Sequence, residues 1–226
     1  MLVGTLLGAS KTEYCLKSLG LKIAYLSIEK NDTQKQITVK THSLMTNSIF
    51  PPLNNEYRIS YDEQYRPQTL TRIIRQKNLN DIVETRYDHS KQIARQSRKS
   101  DINSIDYSIG KQTRDIFSFL AFLAGKKPES GTYPIDGNGN PWLATAVAKP
   151  SETLKTVIGK HKARKIDVSF TNVTEQKQPY VDMVTNNILK EGNKLSLWVD
   201  DRQQILKAVV KSKGITTYWE LTKLTP

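Results

Sequence analysis

The sequence predicts a mainly β protein: a curved antiparallel sheet or half-open barrel around one central amphipathic helix. Three observations carry the prediction. Short alternating apolar and polar runs recur at about ten-residue spacing, turn-forming residues stand between them, and one segment switches to a helical period. Composition agrees. Hydrophobic residues make up only 37% of the chain, but the ten tyrosines and many β-branched residues suit thin, half-wetted sheets better than a thick helical core.

The first half reads as a meander. Leu21–Glu29 is rich in apolar residues on both faces, and Asn31, Asp32 and Thr33 form a turn signal. Gln36–Leu44 then sets Ile37, Val39 and Thr41 on one face, completing a hairpin, and Pro51–Pro52 punctuate its exit. Glu56–Asp62 places Tyr57, Ile59 and Tyr61 together. Gln68–Lys77, Asp81–Asp88 and Lys91–Arg98 follow, with turns at 78–80 and 88–90. Arg72, Arg75, Lys77, Arg86, Arg95 and Arg98 cannot all face a dry core, so part of this sheet is expected to be solvated.

Thr113–Ala124 differs. Ile116, Phe119, Leu120 and Leu123 recur at i, i+3, i+4 and i+7, the stripe of an amphipathic helix. Phe117, Ala121 and Phe122 widen it, so the helix must pack on more than one side. Gly125 and Pro128 supply a stop, and Lys126 and Lys127 complement the helix dipole. Strands resume at Gly131–Ile135 and Pro141–Ala148, joined through the Asp136–Asn140 turn, and at Lys165–Val173. Pro179–Gly192 fits either a second short helix or a strand. Leu195–Val199, Ile205–Lys213 and Ile215–Leu224 close the chain as three strands.

Residues 1–10 are apolar and end in small side chains, like the tail of a secretory signal peptide without its basic start. The reading is therefore a signal remnant over 1–10 and one β-rich domain over 11–226. No run reaches the 18 or so apolar residues of a membrane-spanning helix. One cysteine, Cys15, excludes an intrachain disulfide and lacks the small apolar box of a lipid-modified residue. The net charge of +12 favours anionic partners without naming one.

No motif carries chemistry. Asp136, Asn138 and Asn140 alternate like calcium-loop ligands, but Pro141 stands where that loop needs glycine and Val147 where it needs glutamate, so a turn is favoured. His42, His89 and His161 have no second ligand at metal spacing. Nucleophile-elbow, zinc-protease, phosphate-loop and dinucleotide fingerprints are absent. No catalytic residue, metal or cofactor is assigned; Asp88–His89 is the one pair that a dispersed hydrolase site could use. Tyr57, Tyr61, Tyr65 and Tyr87 among basic strands allow a polyanion- or single-strand-binding platform, with nucleic acid the less favoured partner. Trp142, Trp198 and Trp219 are expected in the core, each indole N–H with a local acceptor.

The segment Leu195–Ser196–Leu197–Trp198–Val199–Asp200–Asp201–Arg202, continuing to Leu221, resembles the end of an uncharacterised family of bacterial exported proteins, a domain of unknown function. Ser18–Leu19–Gly20–Leu21–Lys22–Ile23–Ala24 is similar to its opening strand, and Asp115–Ile116–Phe117–Ser118–Phe119 to its helix entry. Gln203, Gln204, Ile205 and Leu206 replace the Pro and Val common after that family's turn. The resemblance implies a periplasmic or secreted location, and since no catalytic residues are defined for that family, none carries over.

Together these readings give a non-enzymatic envelope binding or scaffold protein whose helix lines an apolar, lipid-binding groove, in outline similar to periplasmic lipoprotein carriers. The residues expected to line it are Ile116, Phe119, Leu120, Leu123 and Trp198. A lipid or other apolar ligand, and an anionic envelope polymer, are the expected partners. The polyanion module and the hydrolase remain alternatives.

Overall fold

The computed structural model describes residues 9–46, 50–77, 79–126, 130–174 and 182–225. Met1–Gly8 of the signal-like segment, Asn78, Lys127, Pro128 and the start of the Pro179–Gly192 segment lie outside the described residues.

Fifteen strands form a single sheet. They are β1 (Ala9–Ser18), β2 (Leu21–Asn31), β3 (Gln36–Ser43), β4 (Asn54–Tyr61), β5 (Pro67–Gln76), β6 (Leu79–Asp88), β7 (Ile93–Arg98), β8 (Asp101–Ser108), β9 (Arg114–Asp115), β10 (Gly131–Asp136), β11 (Pro141–Thr156), β12 (Gly159–Asn172), β13 (Lys194–Val199), β14 (Ile205–Ser212) and β15 (Ile215–Thr225). Two helices complete the fold, α1 (Ile116–Gly125) and α2 (Met183–Ile188). The sheet order runs from β8 down to β1, then from β15 down to β9. The chain thus makes two meanders that meet where its first and last strands pair, Leu16 opposite Trp219 and Tyr14 opposite Leu221. All pairings are antiparallel except the two-residue match of β9 with β10. β8 and β9 remain as edges, which makes the barrel half-open. β8 is solvated along its length, with Arg95 of β7 forked onto Asp106 (2.7 and 2.8 Å) on its face; charge and wetting of this kind guard an edge against stray pairing.

Period-two alternation places the core. Ile37 and Val39, Tyr57, Ile59 and Tyr61, and Ile166, Val168 and Phe170 are buried, as the sequence pattern requires. α1 fills the concavity. Asp115 caps it, its carboxylate accepting from the backbone N–H groups of Phe117 (2.9 Å) and Ser118 (3.2 Å). Ile116, Phe117, Phe119, Leu120 and Leu123 are all buried, so the helix is apolar nearly all round because it is packed nearly all round. At its other end Arg164 of β12 donates to the Leu123 carbonyl (2.8 Å), placing a cation at the negative end of the helix.

Ala9 and Ser10 pair within β1, opposite Asn31 and Lys30. The basic residues of this sheet divide as expected: Arg75, Lys77, Arg86 and Arg95 are exposed, whereas Arg72 is fully buried, 3.9 Å from the buried Asp182 carboxylate. Two expectations are corrected. Ser18–Ala24 is not one strand: Leu19 (φ 51°) and Gly20 (φ 76°) form a two-residue hairpin turn inside it. Trp198 donates its indole N–H to Glu152, but the buried indoles of Trp142 and Trp219 have no acceptor among the described residues.

Candidate functional site

α1 carries two different faces. Ile116, Phe119 and Leu123 are sealed in the core, with Phe119 against Tyr133 at a ring separation of 5.7 Å. The face bearing Phe117, Leu120, Ala121 and Ala124 looks toward β1–β3 and borders a cavity of about 320 Å³. That volume lies at the lower end of ligand sites, about 300–1,000 Å³. Positions 121 and 124, on this border, hold the small side chain of alanine.

Strand alternation supplies the opposite wall: Thr12 and Tyr14 from β1, Ile28 from β2, Ile37 and Val39 from β3, and Ile205 from the start of β14. Tyr14 is fixed by donating its hydroxyl to the Ile205 carbonyl (2.6 Å), and burial pushes its phenol well above the usual range. The mouth is polar. Lys30 pairs with Asp32 (2.9 Å) and donates to the Tyr65 hydroxyl (3.2 Å), while the 200–204 turn brings Arg202, Gln203 and Gln204 to the other side. Thr12 donates to Gln204 (3.1 Å), and the Asp200 carboxylate accepts from the Gln204 N–H (2.8 Å), which holds this turn against the sheet. An apolar interior under a rim that sets Lys30 and Arg202 beside Asp32 and Asp201 can take an elongated apolar group with a polar end.

A smaller cavity, about 220 Å³, lies further along the same strands. Leu16, Ala24, Met183, Ile188 and Trp219 are among its walls. Tyr14 of the first cavity and Trp219 of the second, their rings 6.1 Å apart, stand between the two.

Of the five residues expected to line a groove, the structure puts only Leu120 on the cavity beside α1. Trp198 stands apart, covered by Glu152 and by the ammonium groups of Lys165 and Lys207, 5.2 and 4.9 Å from its ring. Lys30, Ala121, Ala124 and Arg202 were missed. The small residues of the helix stripe were the available signal: a helix apolar all round with alanine on one face leaves space there.

The remaining candidates resolve into structural roles. Asp88 and His89 do not form an acid–base pair. The Asp88 carboxylate accepts from the Ser90 hydroxyl (2.6 Å) and from the Ser90 and Lys91 N–H groups; the Ser90 hydroxyl is the largest cause holding its pKa down to about 2. The His89 ring stacks on Tyr87, with Nε2 2.8 Å from the Pro67 carbonyl oxygen. Asp136, Asn138 and Asn140 are buried in a hairpin turn whose central residues, Asn138 (φ 63°) and Gly139 (φ 91°), are left-handed, as Asn-Gly hairpins require. Asp136 accepts from the Gly139 N–H (2.7 Å) and from the hydroxyls of Tyr87 (2.6 Å) and Tyr107 (2.7 Å). Among the described residues no group of three His, Cys, Asp or Glu side chains could hold a metal ion, and no helix is long and apolar enough to cross a membrane.

Neither a family model nor a curated protein matches the sequence. The fold does have counterparts. A β-barrel-like protein of the domain of unknown function DUF1849 from Brucella abortus is similar over 96% of this chain and 97% of its own, with a TM-score of 0.64 and 8% identity. The hypothetical lipoprotein YmcC from Escherichia coli K12 is matched over 96% of this chain and 85% of its own, with a TM-score of 0.43 and 14% identity. The DUF1849 protein shares the barrel-like architecture.

Proposed function

We propose that this chain is a non-enzymatic binding protein of the bacterial cell envelope that holds one lipid-like chain in the α1–β3 cavity, its polar end at the Lys30–Arg202 rim. The observation that carries the reading is the pairing of an apolar interior, made by Ile28, Ile37, Val39, Leu120 and Ala121, with a polar mouth where Lys30 and Arg202 stand beside Asp32 and Asp201. Hydrocarbon leaves water for such a space at roughly 25 cal/mol per Å² of apolar surface, and the mouth leaves a polar headgroup in contact with solvent. The apolar residues before Ala9 and the exported-protein resemblance of the sequence support the envelope location.

The test is native mass spectrometry of the purified chain together with displacement of a fluorescent fatty acid. The wild type should bind the probe with a stoichiometry of one. Ala121→Trp should fill the cavity and abolish binding while the far-UV circular dichroism spectrum is retained. A wild type that takes up no probe, or an Ala121→Trp variant that binds it equally, would defeat the reading.

A further inference from the structure

We propose that the β11–β12 hairpin is a docking arm for an anionic phospholipid surface. β11 and β12 pair from Trp142–Asn172 out to Thr156–Gly159, but β13 joins β12 only from Arg164 onward. The outer part of the hairpin is therefore a two-stranded arm. A bare hairpin is marginal in water, and this one is braced at its base. Glu152 accepts from the Trp198 indole, and Leu154 packs against the main core.

The tip of the arm breaks the usual rule for a solvated turn. It presents two apolar side chains, Val157 at 68% exposure and Ile158 at 37%, across a turn closed by Gly159 (φ +120°). Exposed lysines flank them: Lys155 on one strand, Lys160 and Lys162 on the other. Between Lys149 and Lys165 the chain holds six cations, of which Lys149, Lys155, Lys160 and Lys162 are exposed, while Arg164 is bonded to the Leu123 carbonyl and Lys165 lies over Trp198; the one acidic residue, Glu152, accepts from Trp198. An apolar point ringed by flexible cations complements an interface that offers negative headgroups outside and hydrocarbon just beneath. A polyanion in solution would use the lysines but would gain nothing from Val157 and Ile158, so the tip chemistry selects the membrane.

The experiment is co-sedimentation of the full chain with vesicles of phosphatidylcholine alone, or of phosphatidylcholine mixed with phosphatidylglycerol. The wild type should bind the mixed vesicles and release them at high salt. Val157→Ser/Ile158→Ser and, separately, Lys155→Gln/Lys160→Gln should each weaken binding about tenfold. All four side chains are exposed, so both variants should keep the wild-type melting temperature. Ala121→Trp should bind vesicles like the wild type, which separates failure of the arm from failure of the groove. The proposal falls if the wild type ignores the mixed vesicles, or if it binds pure phosphatidylcholine as well. It also falls if the serine variant binds like the wild type, since that outcome would mean simple polycation adsorption.

Discussion

The Tyr57 hydroxyl donates to the Asp182 carboxylate at 2.8 Å, across a sequence separation of 125 residues. Both groups are fully buried. Asp182 also caps α2 by accepting from the Thr185 N–H (2.9 Å), and Arg72 is 3.9 Å away. One carboxylate thus ties the second helix to the middle of the first meander. Asp182→Ala would remove the cap, the phenol's acceptor and the charge facing Arg72. Loss of one partner from a buried ion pair costs about 3–5 kcal/mol, and urea unfolding should show a fall of that order. Asp182→Asn, which retains a capping oxygen, should lose less.

A second buried carboxylate joins the edge of the first meander to the hairpin turn of the second. Tyr87 and Tyr107 both donate to the same oxygen of Asp136. Asp136→Ala strands two phenols, each costing about 1–3 kcal/mol when buried without an acceptor. Adding Tyr87→Phe and Tyr107→Phe to that variant should recover part of the loss, because the two phenol donors are then gone and only the Gly139 N–H has lost its acceptor. A triple variant less stable than Asp136→Ala alone would contradict this account.

Gly125 ends α1 where the chain touches Tyr65. A methyl group there would stand 2.4 Å from the phenol oxygen and 3.0 Å from its ring carbon. Tyr65 cannot swing away freely, because it stacks on Tyr61 at 5.1 Å with an interplanar angle of 7°. Gly125→Ala should therefore destabilise by about 1–3 kcal/mol, as overpacked cores do. Tyr65→Phe in the same chain should relieve part of it, measured as a double-mutant cycle.

Stability should respond to acid through two aspartates of opposite sign. Burial pushes the Asp115 carboxyl up, against the hydrogen bonds from Ser118 and Phe117. Its folded pKa then exceeds the unfolded value of about 3.9. The fold binds this proton more tightly, so its contribution improves as pH falls through the folded pKa toward the unfolded one. Asp115→Asn, which keeps a capping oxygen, should be more stable relative to the wild type at neutral pH than at pH values near 4. Asp81 runs the other way. Burial pushes it up too, but hydrogen bonds from Ser100 and Arg98 and the Ile82 N–H outweigh that and hold it below its usual range. Its stabilisation is complete above the unfolded value and is lost as pH falls through the folded one. The deficit of Asp81→Asn should accordingly be largest at neutral pH and shrink in acid.

The amino-acid order alone determined the mainly β class, the meander rhythm and α1, because alternation and a 3.6-residue period are local properties of a chain burying one face. The turn at Asp136–Asn140 was legible too, whereas the cap at Asp115 was not, since the helical pattern extends back to Thr113. β8 escaped notice because Ile102 and Ile105 are spaced by three and nothing covers them, so no period of two survives. β1 was hidden by an apolar start that reads like a leader. Only the tertiary structure decided which helix face meets the void, that Arg72 is buried opposite Asp182, and that Asp88 serves its own turn while His89 reaches the Pro67 carbonyl. The reason is physical: periodicity reports that a side chain is buried, whereas a cavity or an ion pair depends on which distant strand arrives opposite it and on how much volume that strand leaves unfilled.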